Sequence, residues 1–231
     1  MCLVEFKDVC KNYGSKQVLK NISFKIEKGK IIGLLGRNGM GKSTILKLIN
    51  DLLTPSSGEV LVKGIKVGVE SKKIISFLPE RTYLDKSCTI NQIFDFFLDF
   101  YQDFDVDKAR MLLKDLDLDE NAKISKMSKG MIEKLQLVLV MSRNAELYVL
   151  DEPLGGVDPA TREYILDTIL KNYNPDASII ISTHLISDIE KILDDIIIIE
   201  RGEILLNDSV ENLREQYNES IDEIFRRMFK C

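Results

Sequence analysis

The chain has no tryptophan, one histidine, five prolines and four cysteines in 231 residues. With His184 alone, an imidazole-rich metal site is excluded. Cys2, Cys10, Cys88 and Cys231 contain no Cys-x-x-Cys pair. Their spacing suits neither a zinc site nor a disulfide framework, so a reduced, cytoplasmic setting is expected. No purely apolar run is longer than about five residues, whereas a membrane helix needs about 20, so no bilayer-spanning segment is expected. The start, Met1-Cys2-Leu3-Val4-Glu5-Phe6-Lys7-Asp8, lacks the basic-then-apolar layout of a signal peptide. A basic surplus is also missing. Lys and Arg number 32 against 37 Asp and Glu, a net charge of −5, which disfavours direct binding to nucleic acid. What is present, 45% apolar and 30% charged residues, is the composition of a globular chain able to bury a core without staples.

Apolar patterning divides the chain. Residues 3–9 and 18–26 alternate polar and apolar like a sheet with one wet face, joined by a turn at Tyr13-Gly14-Ser15-Lys16. Ile31-Ile32-Gly33-Leu34-Leu35, Leu147-Tyr148-Val149-Leu150 and Ser178-Ile179-Ile180-Ile181 are continuous runs, as strands buried on both faces require. Ile196–Glu200 and Gly202–Leu206 predict a closing hairpin. Apolar strands alternating with helical stretches indicate an α/β chain with a parallel sheet. Residues 86–141 carry helical spacing and little strand signal, which predicts a helical insert. From Ser209 the apolar residues Val210, Leu213, Tyr217, Ile221, Ile224, Phe225 and Met228 fit amphipathic helices, and packing back on the sheet is favoured over dimerisation. There is no internal repeat and no low-complexity linker.

Two motifs carry chemistry. Gly36-Arg37-Asn38-Gly39-Met40-Gly41-Lys42-Ser43 fits G-x-x-x-x-G-K-[ST] directly after a buried strand, with Thr44 next on the ensuing helix. Glycines let successive N–H groups curl toward an anion, Lys42 adds a mobile charge for terminal phosphates, and the Ser43 hydroxyl suits Mg²⁺. The helix start near Lys42 faces the same phosphates. Asp151-Glu152-Pro153 ends another buried strand. Asp151 suits Mg²⁺, and Glu152 suits the general base that orients an attacking water.

A phosphate loop followed about one hundred residues later by Asp-Glu-Pro resembles the ATP-binding subunit of an ABC transporter, of the exporter-like group that works with ABC-2-type permeases. The resemblance covers the chain from Tyr13 to His184. It implies an α/β fold of the P-loop NTPase (RecA-like) type, with a parallel-sheet core, an N-terminal antiparallel β-subdomain and a helical insert. It implies one domain over 1–231: 1–85 and 142–208 as core and β-subdomain, 86–141 as the helical subdomain, and 209–231 as a helical tail. It also implies ATP and Mg²⁺. Tyr13 stands where the family stacks an aromatic on adenine. Glu80, in Phe77-Leu78-Pro79-Glu80, occupies the position of a glutamine that reaches the metal and the attacking water; here it brings a carboxylate. Ser128 and Gly130, in Met127-Ser128-Lys129-Gly130-Met131, match the signature motif, while Met127, Lys129 and Met131 depart from it. Asp158 matches the D-loop aspartate, and it also suits an N-cap before Pro159. His184, after Ser182-Thr183, matches the switch histidine.

The resemblance further implies a homodimer, or a heterodimer with a related ATPase subunit, that sandwiches nucleotide head to tail. It implies a separate transmembrane permease that holds the subunit on the inner face of the membrane. Phe94, Phe97, Tyr101 and Phe104 share one helical stripe, and Phe96 and Phe100 share another. The second stripe is a candidate contact for the permease. A non-transport ATPase of the same type is the alternative, and membrane recruitment would separate the two. A guanine-specific enzyme is disfavoured because no Asn-Lys-x-Asp motif is present.

Overall fold

A computed structural model describes residues 2–229. Strands β1 (Cys2–Tyr13) and β2 (Lys16–Glu27) form an antiparallel hairpin in which Tyr13 faces Lys16 across Gly14-Ser15. Phe24 and Ile26 point inward and Lys25 and Glu27 outward, as the alternation predicts. Strand β3 (Ile31–Leu35) runs into helix α1 (Lys42–Ile49). Strands β4 (Ser57–Val62) and β5 (Ile65–Lys66) return to the hairpin, giving a four-stranded sheet in the order β2-β1-β4-β5.

Helix α2 (Val69–Ile74) precedes strand β6 (Ile75–Leu78). Helices α3 (Ile90–Phe100), α4 (Val106–Asp115) and α5 (Lys129–Met141) follow, in the stretch whose spacing reads as helical. The chain re-enters the sheet with β7 (Leu147–Asp151), α6 (Pro159–Asn172), β8 (Ser178–Thr183), α7 (Ile186–Ile189), β9 (Asp195–Glu200) and β10 (Glu203–Ser209). Helices α8 (Val210–Tyr217) and α9 (Ile221–Phe229) follow. The second sheet has six strands in the order β10-β9-β3-β8-β7-β6, parallel except for the β9–β10 hairpin.

The continuous apolar runs are explained by two cores, one on each face of this sheet. Ile32, Leu34, Val149, Ile180 and Ile197 face the antiparallel sheet, with α1 packed between. Ile31, Leu35, Leu150, Ile179, Ile181 and Ile198 face the insert and the later helices. Each apolar side chain taken out of water contributes roughly 1.5–3 kcal/mol, so a strand buried on both faces is mostly apolar, and a buried polar group such as Ser182 is hydrogen-bonded. The tail packs back on the second core through Val210, Leu213, Ile221, Ile224 and Phe229. Cys2, Cys10 and Cys88 are free thiols; Cys231 lies outside the described residues.

Phe94, Phe97 and Phe104 are buried, whereas Phe96 and Phe100 are 53% and 67% exposed. The insert is tied to the core by Arg143, only 3% exposed. Its guanidinium donates to both Asp103 oxygens at 3.0 Å, to the Ile75 carbonyl at 2.5 Å and to the Lys73 carbonyl at 2.7 Å. It also stacks 3.9 Å from the Tyr101 ring centre.

Register brings the strand ends together. Leu35 pairs with Thr183, Asp151 with Ser182, and Leu78 with Leu150. The loops after β3, β6, β7 and β8 therefore open at one edge, where ligands gather in parallel sheets.

Candidate nucleotide site

Gly36-Arg37-Asn38-Gly39-Met40-Gly41 curls over the end of β3 before α1 begins. Geometry dictates two of its glycines. A Cβ on Gly36 would stand 2.5 Å from the Ile199 carbonyl oxygen. At Gly41, where φ is +114°, a Cβ would lie 2.8 Å from Leu19 Cδ2. Lys42 closes the curl. It is 5% exposed, and its ammonium donates to the Gly36 carbonyl at 2.7 Å and the Arg37 carbonyl at 3.4 Å. A buried charge needs a counter-charge. Glu152 supplies it, with Oε1 3.2 Å from Nζ, within ion-pair range though not aligned as a hydrogen bond.

Strand β7 delivers Asp151, 2% exposed, whose Oδ1 accepts from the hydroxyls of Ser182 at 2.6 Å and Ser43 at 3.1 Å. Burial raises the Asp151 pKa above the ordinary carboxylate value, and the nearby charges of Glu80 and Glu152 push the same way; the two hydroxyl donors oppose them.

Glu152 leaves the strand with φ at +50°, a left-handed conformation that costs a non-glycine residue about 1–3 kcal/mol. Its N–H donates to both the carbonyl and the hydroxyl of Ser182, each at 3.1 Å, and its carbonyl accepts from the Gly155 N–H at 3.0 Å. These bonds hold the turn and aim the carboxylate at Lys42. Its second oxygen, Oε2, lies 3.0 Å from His184 Nδ1, so a proton on Nδ1 makes the imidazole the donor. Glu152 is thus held at both oxygens, by a lysine from the first loop and a histidine from the last.

A cavity of about 580 Å³ opens over these groups. Asn38, Gly39, Gly41, Lys42, Ser43, Thr44, Glu80, Asp151, Glu152 and His184 line it. So do Val18, Lys129, Glu133 and Gln136, which sequence reasoning did not place there. Lys129 was visible only as a departure from the signature pattern, and no signal marked the other three.

The remaining expected residues do not line this cavity. Gly36 lies beneath the loop, against Ile199. Arg37 turns to α9, donating to the Phe229 carbonyl at 2.9 Å. Met40 accepts the Arg201 N–H on its sulfur at 3.2 Å. Tyr13 is half-exposed at the hairpin end, with the Lys11 ammonium 5.3 Å from its ring centre. Ser128 caps α5 by accepting the Met131 N–H at 3.2 Å, and Gly130 follows in the first turn with open space around it. Asp158 caps α6 through the Thr161 N–H at 3.1 Å, with Pro159 at the first helical position. No helix among the described residues is long and apolar enough to cross a membrane.

Residues 19–155 match the family model for the ABC transporter. The chain is 33% identical over 218 residues to the ABC transporter ATP-binding protein YtrB of Bacillus subtilis (strain 168), covering 93% of this chain and 75% of that one. It is 31% identical over 211 residues to the linearmycin resistance ATP-binding protein LnrL of the same organism, covering 88% and 68%. Among solved structures, the ATP binding subunit of an ABC transporter superposes with a TM-score of 0.89 at 25% identity, covering 98% of this chain and 99% of that one. With its phosphate loop, paired carboxylates and strand-edge histidine on a P-loop NTPase fold, the chain belongs to the ABC transporter family as an ATP-binding subunit whose ATP hydrolysis drives transport.

Proposed function

We propose that the cavity over β3, β7 and β8 holds ATP with Mg²⁺, that Glu152 is the general base for its hydrolysis, and that a second ATPase subunit completes the site. The convergence of Lys42, Ser43, Asp151, Glu152 and His184 on one strand edge carries this assignment. The loop N–H groups, the α1 start and Lys42 suit the triphosphate. Ser43, Asp151 and Glu80 offer hard oxygen donors, and two of them are already hydrogen-bonded to each other. Among the described residues no three His, Cys, Asp or Glu side chains cluster as a self-sufficient metal site. Mg²⁺ takes one or two protein ligands and completes its shell with substrate phosphates and water. When bound, the ion would neutralise charge on the terminal phosphates.

The residues then divide the work. Lys42 holds the phosphate end and is the counter-charge of Glu152. Glu152 accepts a proton from the attacking water on the oxygen that His184 orients. The fixed turn at Glu152 positions the carboxylate in advance, so little reorganisation is needed. Tyr13 supplies a stacking face for the base.

Ser128, Gly130 and Asp158 stand outside the chain's own cavity, at the starts of α5 and α6. Their placement supports a role toward the nucleotide of a neighbouring subunit, either a second copy or a related chain. Phe96 sits in an apolar groove of about 440 Å³ with Leu52, Phe77, Tyr83 and Tyr101, and the Phe100 ring packs against it, tilted, with centres 4.5 Å apart. We assign this groove to a cytoplasmic segment of a separate permease, which would hold the subunit on the inner face of the membrane. A relative named for linearmycin resistance supports efflux as the direction.

Gel filtration of Glu152→Gln with ATP and Mg²⁺ tests the assembly. A shift to twice the monomer mass, absent without nucleotide, is the expected outcome. A monomer under all conditions, alone and with its co-expressed related subunit, would refute it.

A further inference from the structure

The nucleotide cavity has on its wall a buried amide donor and a carboxylate, neither with a partner among the described residues. Gln136 lies on the cavity face of α5, is 3% exposed, and has its side-chain nitrogen Nε2 buried with no hydrogen-bond partner. Native proteins rarely leave such a group unpaired without a use for it. The carboxylates on the same cavity wall can be taken one by one. Asp151 receives Ser43 and Ser182. Glu152 is held between Lys42 and His184. Glu133 pairs with Lys129 at 3.4 Å. The fourth carboxylate on the cavity wall, Glu80, has no ion pair or hydrogen bond among the described residues. It follows β6, against which α5 packs.

We propose that Gln136 is a positioning residue: with nucleotide bound, its amide donates to the Glu80 carboxylate and ties the loop after β6 to helix α5 of the insert. The pairing rests on the assignment of the cavity to Mg-nucleotide. Chemistry favours it. Glu80 brings negative charge to the phosphate end, where an amide would bring none, and its charge already reaches Asp151. A hydrogen bond from Gln136 would spread that charge and fix one carboxylate oxygen. Because α5 also carries the Ser128-Lys129-Gly130 segment at its start, the bond would link nucleotide occupancy to the position of that segment.

The test uses the full chain, Mg²⁺ and the non-hydrolysable analogue AMPPNP, and reads melting temperature and analogue affinity. Gln136→Met keeps the volume and removes the donor. Its unliganded melting temperature should stay level or rise, because an unpaired buried donor is lost, while analogue affinity should fall about tenfold. In a Glu80→Ala background the same substitution should change affinity by less than about twofold. Gln136→Glu should weaken binding further by setting two carboxylates together, and adding Glu80→Gln should rescue it by exchanging donor and acceptor. A lower unliganded melting temperature with unchanged affinity would make Gln136 merely structural and overturn the pairing. A tenfold loss that persists without Glu80 would assign the amide to another acceptor and also overturn it. A wild-type chain that binds no analogue would remove the nucleotide assignment and the pairing with it.

Discussion

His184 Nδ1 stands 3.0 Å from Glu152 Oε2, although the two residues come from different strands. The contact follows from register. Asp151 pairs with Ser182, so Glu152 after one strand and His184 after the other leave the sheet side by side. Ser182 fixes the turn at Glu152 through its carbonyl and its hydroxyl. Glu152→Gln keeps the size and the turn but removes the basic oxygen. Phosphate release should fall by about 10²–10⁴-fold, the usual contribution of a general base, while nucleotide binding persists. A loss smaller than tenfold in a folded variant would take the base role away from Glu152.

The phosphate loop gives a prediction with its own control. Gly41 and Gly39 both have positive φ, +114° and +80°, but their surroundings differ. A Cβ at Gly41 would collide with Leu19, whereas nothing lies within 4 Å of one at Gly39. Gly39→Ala should therefore carry only the backbone term, about 1 kcal/mol. Gly41→Ala should carry that term and the displacement of the loop against β2, about 1–3 kcal/mol in total, and should lose analogue binding. Denaturant unfolding and binding titration on both variants check this; equal penalties would mean that the loop yields at Gly41 without cost.

The sequence revealed most where a residue's environment is uniform. Ile31–Leu35 and Leu147–Leu150 read as buried strands because burial on both faces leaves no polar position. Asp158 before Pro159 read as a cap because capping is local. Long-range placement was less legible. Ile75-Ser76-Phe77-Leu78 was not read as a strand: its serine breaks the apolar run, yet the hydroxyl is buried and donates to the Val140 carbonyl at 2.9 Å. Gln136 and Arg143 look like surface positions because their type is usually exposed. Only the packing of the insert on β6 buries them.

Arg143 is the more costly of those two to alter. It pairs with Asp103, satisfies the carbonyls of Lys73 and Ile75 at the entry to β6, and stacks on Tyr101. Arg143→Met removes the charge, strands two buried carbonyls and leaves Asp103 without its partner. Breaking a buried pair from one side costs about 3–5 kcal/mol, so a loss of that size is expected in denaturant unfolding. Arg143→Lys should recover little of it, because an ammonium cannot serve a planar fork of acceptors. A loss below 1 kcal/mol would show that the insert stays seated on the core without this clamp.

Phe96 and Phe100 pose the opposite case, large apolar side chains whose removal should cost the fold almost nothing. They are 53% and 67% exposed, pack against each other, and leave the neighbouring stripe of Phe94, Phe97 and Phe104 to fill the core. Exposed apolar clusters beside a groove mark contact surfaces when the fold itself has no use for them. Phe96→Ser and Phe100→Ser should each change stability by less than about 0.5 kcal/mol, as surface substitutions do. Basal ATP hydrolysis by the isolated subunit should remain, because neither residue lines the nucleotide cavity. Co-purification with the permease and the hydrolysis that depends on it should both fall together. If the double variant still captures the permease and still couples hydrolysis to transport, the groove beside β6 is not the docking surface.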